Sequence, residues 1–144
     1  MKKIHVTLIA LALAAAMLAL IAVPALAQSQ KVDLDKAVGA PGGGFVVFNG
    51  PAGNNQFEME LALKGVKSNT AYDVYLDIPP LGVFGWLIAT ITTSAAGNAN
   101  LHHNCPNSDT GGPLPPGPYD FRVHVTLAGS LVDLYFMTGT LINK

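Results

Sequence analysis

Phe57-Glu58-Met59-Glu60-Leu61-Ala62-Leu63-Lys64 is the stretch on which the fold turns. Phe57, Met59, Leu61 and Leu63 fall on one side of a period-two pattern, and Glu58, Glu60 and Lys64 fall on the other. Side chains alternate across a strand, so this is the signature of a strand with one buried and one solvated face. The same pattern returns twice. Tyr72, Val74, Leu76 and Ile78 alternate with Asp73, Tyr75 and Asp77, and Tyr119, Phe121, Val123, Val125 and Leu127 alternate with Asp120, Arg122, His124 and Thr126. Residues 45–48, 84–93, 99–103 and 131–142 read as further strands, the last broken by Gly139, with a short strand at Val32–Leu34. Turn clusters punctuate them, among them Asn49-Gly50-Pro51, Ile78-Pro79-Pro80-Leu81-Gly82 and Ser94-Ala95-Ala96-Gly97-Asn98. Seven or eight short strands at such spacing predict an all-β antiparallel sandwich. Helical periodicity between strands, which a parallel sheet needs, is missing after residue 27.

The first 27 residues are of a different kind. Met1-Lys2-Lys3 is a positive start, residues 4–23 are apolar apart from His5 and Thr7, and Pro24 precedes Ala25-Leu26-Ala27. Charge, apolar run and small-residue cleavage site together predict a signal-peptide helix over 1–27, cleaved after Ala27. Residues 28–44, ending in Gly39-Ala40-Pro41-Gly42-Gly43-Gly44, read as a flexible lead-in, and residues 45–144 as the sandwich domain. The expected product is exported, periplasmic or extracellular, and does not span a membrane. With a single cysteine, Cys105, it folds without an internal disulfide.

Charge narrows the function. The 144-residue chain has a formal net charge of −1, and removal of Lys2 and Lys3 leaves six Lys and Arg against nine Asp and Glu. Arg122 is the one arginine. Nucleic-acid binding needs clustered cations, so that class is excluded.

Thr92-Thr93-Ser94-Ala95-Ala96-Gly97-Asn98-Ala99-Asn100, followed by Leu114-Pro115-Pro116-Gly117-Pro118-Tyr119-Asp120-Phe121-Arg122-Val123, resembles prealbumin-like and collagen-adhesin B-repeat sandwiches over about residues 86–127. Those families run a Thr-rich strand into a Gly turn and then through Pro-Gly-x-Tyr into the next strand. The resemblance implies an immunoglobulin-like or prealbumin-like sandwich acting at a cell surface. Adhesin repeats often carry a Lys–Asn isopeptide bond. The acidic motif that should precede Pro-Gly-Tyr is missing here, so such a bond among Lys36, Asn143 and Glu58 is not expected.

Four groups of residues are candidates for chemistry. His102-His103-Asn104-Cys105, joined by His124 from another strand, offers imidazole and thiolate ligands suited to copper or zinc. Strand neighbours point to opposite faces, however, and the plainer expectation is a polar loop with no cofactor. Glu58 and Glu60 share a strand face about 6.6–6.8 Å apart, a separation a glycosidase can use, although solvated strands look the same. Tyr75 and Trp86, with Asp73 and Asp77 on the side of Tyr75, form a candidate aromatic surface for carbohydrate. The long loop Asn104–Pro118, with Asn107 and Asp109, is the fourth, a proline-restricted recognition surface. No spacing brings a nucleophile, base and orienting group together. The expectation is therefore a non-catalytic module that binds a protein or carbohydrate surface, with ligand identity and oligomeric state left open. A small metal binder and a Glu-pair hydrolase are the alternatives.

Overall fold

A computed structural model describes residues 29–49, 57–105 and 117–143. Nine strands are present among them: β1 Ser29–Asp33, β2 Asp35–Lys36, β3 Gly43–Asn49, β4 Phe57–Lys64, β5 Ala71–Ile78, β6 Val83–Thr92, β7 Ala99–Cys105, β8 Gly117–Leu127 and β9 Asp133–Asn143. A single 3₁₀ turn, Pro79–Leu81, fills the double-proline break before β6. All pairings are antiparallel, in one sheet of order β1-β3-β4-β7 and one of order β2-β9-β8-β5-β6. The fold is the expected all-β sandwich. The expected signal segment 1–27 lies outside the described residues. Among those described, no helix is long and apolar enough to cross a membrane.

The three alternations set the core. Phe57, Met59, Leu61, Leu63, Tyr72, Val74, Leu76, Ile78, Phe121, Val123 and Val125 are buried between the sheets. Phe48, Phe57 and Phe121 meet at its centre, with ring centroids 4.8 to 6.0 Å apart. Each pair is in the range of favourable tilted or edge contacts. The Tyr135 hydroxyl donates to the Pro41 carbonyl at 2.5 Å. Burial, and then Tyr72 beside it, pushes that phenol up to about 12, so it stays a donor at any ordinary pH.

The structure departs from the sequence expectation at both ends of the domain. The stretch expected to be a flexible lead-in gives a strand to each sheet: β1 pairs with β3 and β2 with β9. Buried Leu34 stands between them and donates its N–H to the Gly44 carbonyl at 2.9 Å. The glycines there serve close approach and not freedom. A β-carbon on Gly44 would run into the Ala62 carbonyl and lie 3.0 Å from Leu34 Cδ1. Gly139, expected to break the last strand, instead sits inside β9 opposite Phe121. Its missing side chain leaves room for Met137 Cε and Val32 Cγ2, which a β-carbon would meet at 3.0 and 3.4 Å.

Candidate functional site

Strand β5 lies between β8 and β6 in the five-stranded sheet, so its outward side chains gather neighbours from both. Register places Asp35, Phe136, His124, Tyr75 and Leu87 in one row across all five strands. The next rows hold Thr138, Arg122 and Asp77 on one side, and Asp133, Thr126, Asp73 and Thr90 on the other.

Two β-bulges aim this face. In β6 the register shifts between Val74 and Tyr75, so Val74 opposes Ala89 while Tyr75 opposes Leu87. In β9 it shifts between Val125 and Thr126, so Val125 opposes Tyr135 while Thr126 opposes Asp133. An extra residue reverses the side on which every later side chain falls. Ile88 and Leu134 are the extra residues, and both pack partly against the core. Asp133 is thereby turned to the outer face.

The result is a clamp on His124. Its Nδ1 lies 2.9 Å from Asp133 Oδ2 and its Nε2 lies 3.1 Å from Asp77 Oδ2. Ionised carboxylates only accept, so both contacts are hydrogen bonds when both ring nitrogens carry protons. Asp77 Oδ1 also accepts the Gly85 N–H at 2.6 Å. Side-chain exposure is 26% for His124, 13% for Asp77 and 43% for Asp133, so the clamp is open on the Asp133 side. Above it lies a pocket of about 270 Å³ lined by Tyr75, Asp77, His124, Thr126, Leu131 and Asp133.

Asp73 shares the face but has a different task. It accepts the Thr90 hydroxyl at 2.6 Å and the Gly129 N–H at 2.9 Å, tying β6 and the β8–β9 turn to the middle of β5. The Thr90 hydroxyl first, and then the Gly129 N–H, hold its carboxyl below the ordinary 3.8. The ionised form is therefore the one that folding favours. Its contribution is complete above 3.8 and fades as pH falls through the lower folded-state value. Urea midpoints of the wild type and Asp73→Asn should differ by a constant amount near neutral pH and converge in acid. A gap that widens on acidification would refute that role for Asp73.

The remaining sequence candidates are scattered. Trp86 pairs with Leu76 on the inner side and packs edge-on to His103, with ring centroids 6.4 Å apart at 84°. Tyr75 and Trp86 thus occupy opposite faces and make no common platform. His102, Asn104 and Cys105 belong to strand β7 and not to a loop. His102 is exposed 3.6 Å from Glu60, Cys105 is buried in the core, and His124 lies on the other sheet. The four proposed metal ligands do not converge. Among the described residues no three His, Cys, Asp or Glu side chains are placed to hold an ion. Glu58 and Glu60 do share an outward face, opposite Asn104 and His102 in register. Glu60 lines a second depression of about 200 Å³ with Phe45, Ala62, Asn100, Leu101 and His102, while Glu58 does not. Asn107 and Asp109 lie outside the described residues.

Of the site, sequence reading found Tyr75 and Asp77 and missed Asp133, Thr126 and Leu131. His124 was visible only as a distant metal ligand. The available signal was a His and an Asp nine residues apart across the Ala128-Gly129-Ser130 turn of a hairpin. Compared with protein-family models, curated proteins and solved structures, the chain gave no match.

Proposed function

We propose that the chain is an exported, non-catalytic β-sandwich module that holds a partner on the outer face of its five-stranded sheet. The observation that carries this reading is the pocket over His124, where an aromatic ring, two carboxylates and an exposed leucine converge on a rigid sheet. A concave site with a few convergent polar groups is the usual form of a ligand seat. Export rests on the tripartite segment at 1–27.

Contact without chemistry suits the hydrogen bonding. Both nitrogens of His124 face carboxylates, and the Thr126 hydroxyl donates to the Leu127 carbonyl at 3.1 Å. That leaves His124 poorly placed as a general base for a neighbouring hydroxyl. The metal alternative loses support because its ligands lie on different faces and sheets. The Glu-pair alternative loses support because Glu58 does not line the depression that Glu60 borders.

Binding to arrays of glycans and of peptides tests the reading. The variants Tyr75→Ala and Leu131→Ser should weaken the retained ligand about tenfold or more, equivalent to about 1.4 kcal/mol. Phe45→Ala, on the opposite sheet, should leave it unchanged. Hydrolysis of a polysaccharide, peptide or ester panel that disappears in His124→Gln or Glu60→Gln, with the thermal midpoint intact, would overturn it.

A further inference from the structure

We infer that the pocket over His124 selects a cationic hydrogen-bond donor, an alkylammonium or guanidinium group, in preference to a neutral polyol. The inference deepens the reading above and rests on it. Its basis is a census of donors and acceptors.

The donors around the pocket are already committed. Both His124 ring nitrogens point at carboxylates, Asp133 Oδ2 and Asp77 Oδ2, while the Gly85 N–H points at Asp77 Oδ1 and the Thr126 hydroxyl at the Leu127 carbonyl. Of the side-chain donors, the Tyr75 hydroxyl is left. Acceptors are in surplus, because each carboxylate offers about four lone-pair sites and these contacts use few of them. Asp133 is the more exposed of the two, so its open oxygen is the accessible one. An ammonium brings three donors and no acceptor, and a guanidinium brings five and none. A sugar brings an acceptor with every hydroxyl, and this pocket has almost nothing to give it. Leaving such groups unmatched on burial weakens binding, because each loses a hydrogen bond to water without a replacement.

Charge and shape agree. Even if the His124 ring is doubly protonated, the clamp sets two carboxylates against one positive charge. The wider face carries Asp35, Asp73, Asp77, Asp120 and Asp133. Its one permanent cation among the described residues is Arg122, opposite Asp77 in register, joined by His124 only when that ring is protonated. Lys36 lies opposite inward-facing Tyr135, and its amine donates to the Gly42 carbonyl. A face of this sign concentrates cations near the pocket. Tyr75 adds a ring for cation–π attraction, and Leu131 adds apolar surface for an alkyl stem. The volume of about 270 Å³ is below the roughly 300–1,000 Å³ of drug-sized sites, which suits one side-chain-sized group.

NMR titration of the isotope-labelled sandwich domain at low salt tests this with three probes. They are n-butylammonium, the peptide acetyl-Gly-Lys-Gly-amide, and methyl β-glucopyranoside. Butylammonium should give saturable shifts at Tyr75, His124 and Asp133, weakened at least about fivefold by Asp133→Asn and by 0.5 M salt. Tyr75→Leu, which removes the ring and keeps both carboxylates, should weaken it about two- to fivefold, covering the case in which Asp133→Asn disturbs the clamp. A peptide that binds as well as the free amine supports a lysine on a partner surface. Binding of the amine alone supports a small free amine. Saturable shifts with the glucoside and none with butylammonium would overturn the cation and leave the pocket reading standing. Silence from all three probes would also overturn the cation, and the array experiment would then judge the pocket separately.

Discussion

Phe121→Ala should cost about 3–5 kcal/mol, the largest loss expected from a single truncation in this domain. Phe121 is fully buried, with its ring centroid 5.2 Å from that of Phe48 and 4.8 Å from that of Phe57. Phe48 comes from β3 and Phe57 from β4 of the facing sheet, so the ring joins the two layers. Its backbone partner is Gly139, which has no side chain to move into the space. The gap therefore stays open, and the loss includes a cavity term beyond the transfer of the ring from water. Native domains have about 5–15 kcal/mol in hand, so the variant should be partly unfolded in mild denaturant. Urea unfolding monitored by near-UV circular dichroism would show the midpoint falling with little change in slope. Phe84→Ala is the control. That ring is 64% exposed, and its loss should move stability by no more than about 0.5 kcal/mol. Equal effects from the two would contradict the placement of the core.

The three clean alternations were legible because each strand keeps one dry face, and period two then reports burial directly. Phe57, Met59, Leu61, Leu63, Tyr72, Val74, Leu76, Ile78, Tyr119, Phe121, Val123 and Val125 are buried as the pattern requires, while Leu127, the last of the third alternation, is exposed at the end of its strand. The edge strands β1 and β2 were less legible. Each pairs on one side, so Lys31, Asp33, Asp35 and Lys36 remain exposed, and charge outweighs the buried Leu34 in any local reading. Pairing between sheets' own members was also hidden. Strand β4 bonds to β7 across the whole β5–β6 hairpin, and nothing local to either strand encodes that choice.

The site was half legible for one physical reason. Strict alternation counted back from Thr90 would put Trp86 on the side of Tyr75, which is the platform the sequence suggests. The bulge at Ile88 reverses the parity, turning Leu87 outward and Trp86 in against His103. Likewise, alternation counted back from buried Tyr135 would send Asp133 inward, and the bulge at Leu134 turns it out to His124. Bulges leave no reliable mark in composition, so parity misplaced both Asp133, which completes the clamp, and Trp86, which the expected platform required.

Gly97→Ala should destabilise the domain by more than about 2 kcal/mol, although it adds only one methyl group to a turn. Gly97 has φ +73, in the left-handed region where a β-carbon alone costs about 1–2 kcal/mol. Space adds to the loss. The new methyl would be driven into the Val66 carbonyl, a backbone atom that cannot swing aside as a side chain does. That carbonyl is held where it is, because the Val66 N–H donates to the Gly97 carbonyl at 3.0 Å and the Gly65 N–H to Asn98 Oδ1 at 3.1 Å. The turn after β6 and the turn after β4 are thus docked backbone to backbone, with Val66 itself buried. Relief of the clash must break this docking. Gly129→Ala separates the two contributions: its φ is +77, but nothing lies within 4 Å of its would-be β-carbon. It should cost only the conformational part, about 1–2 kcal/mol. Thermal midpoints of the two variants should differ in that order. A Gly97→Ala variant as stable as Gly129→Ala would mean that the two turns are not in the contact described.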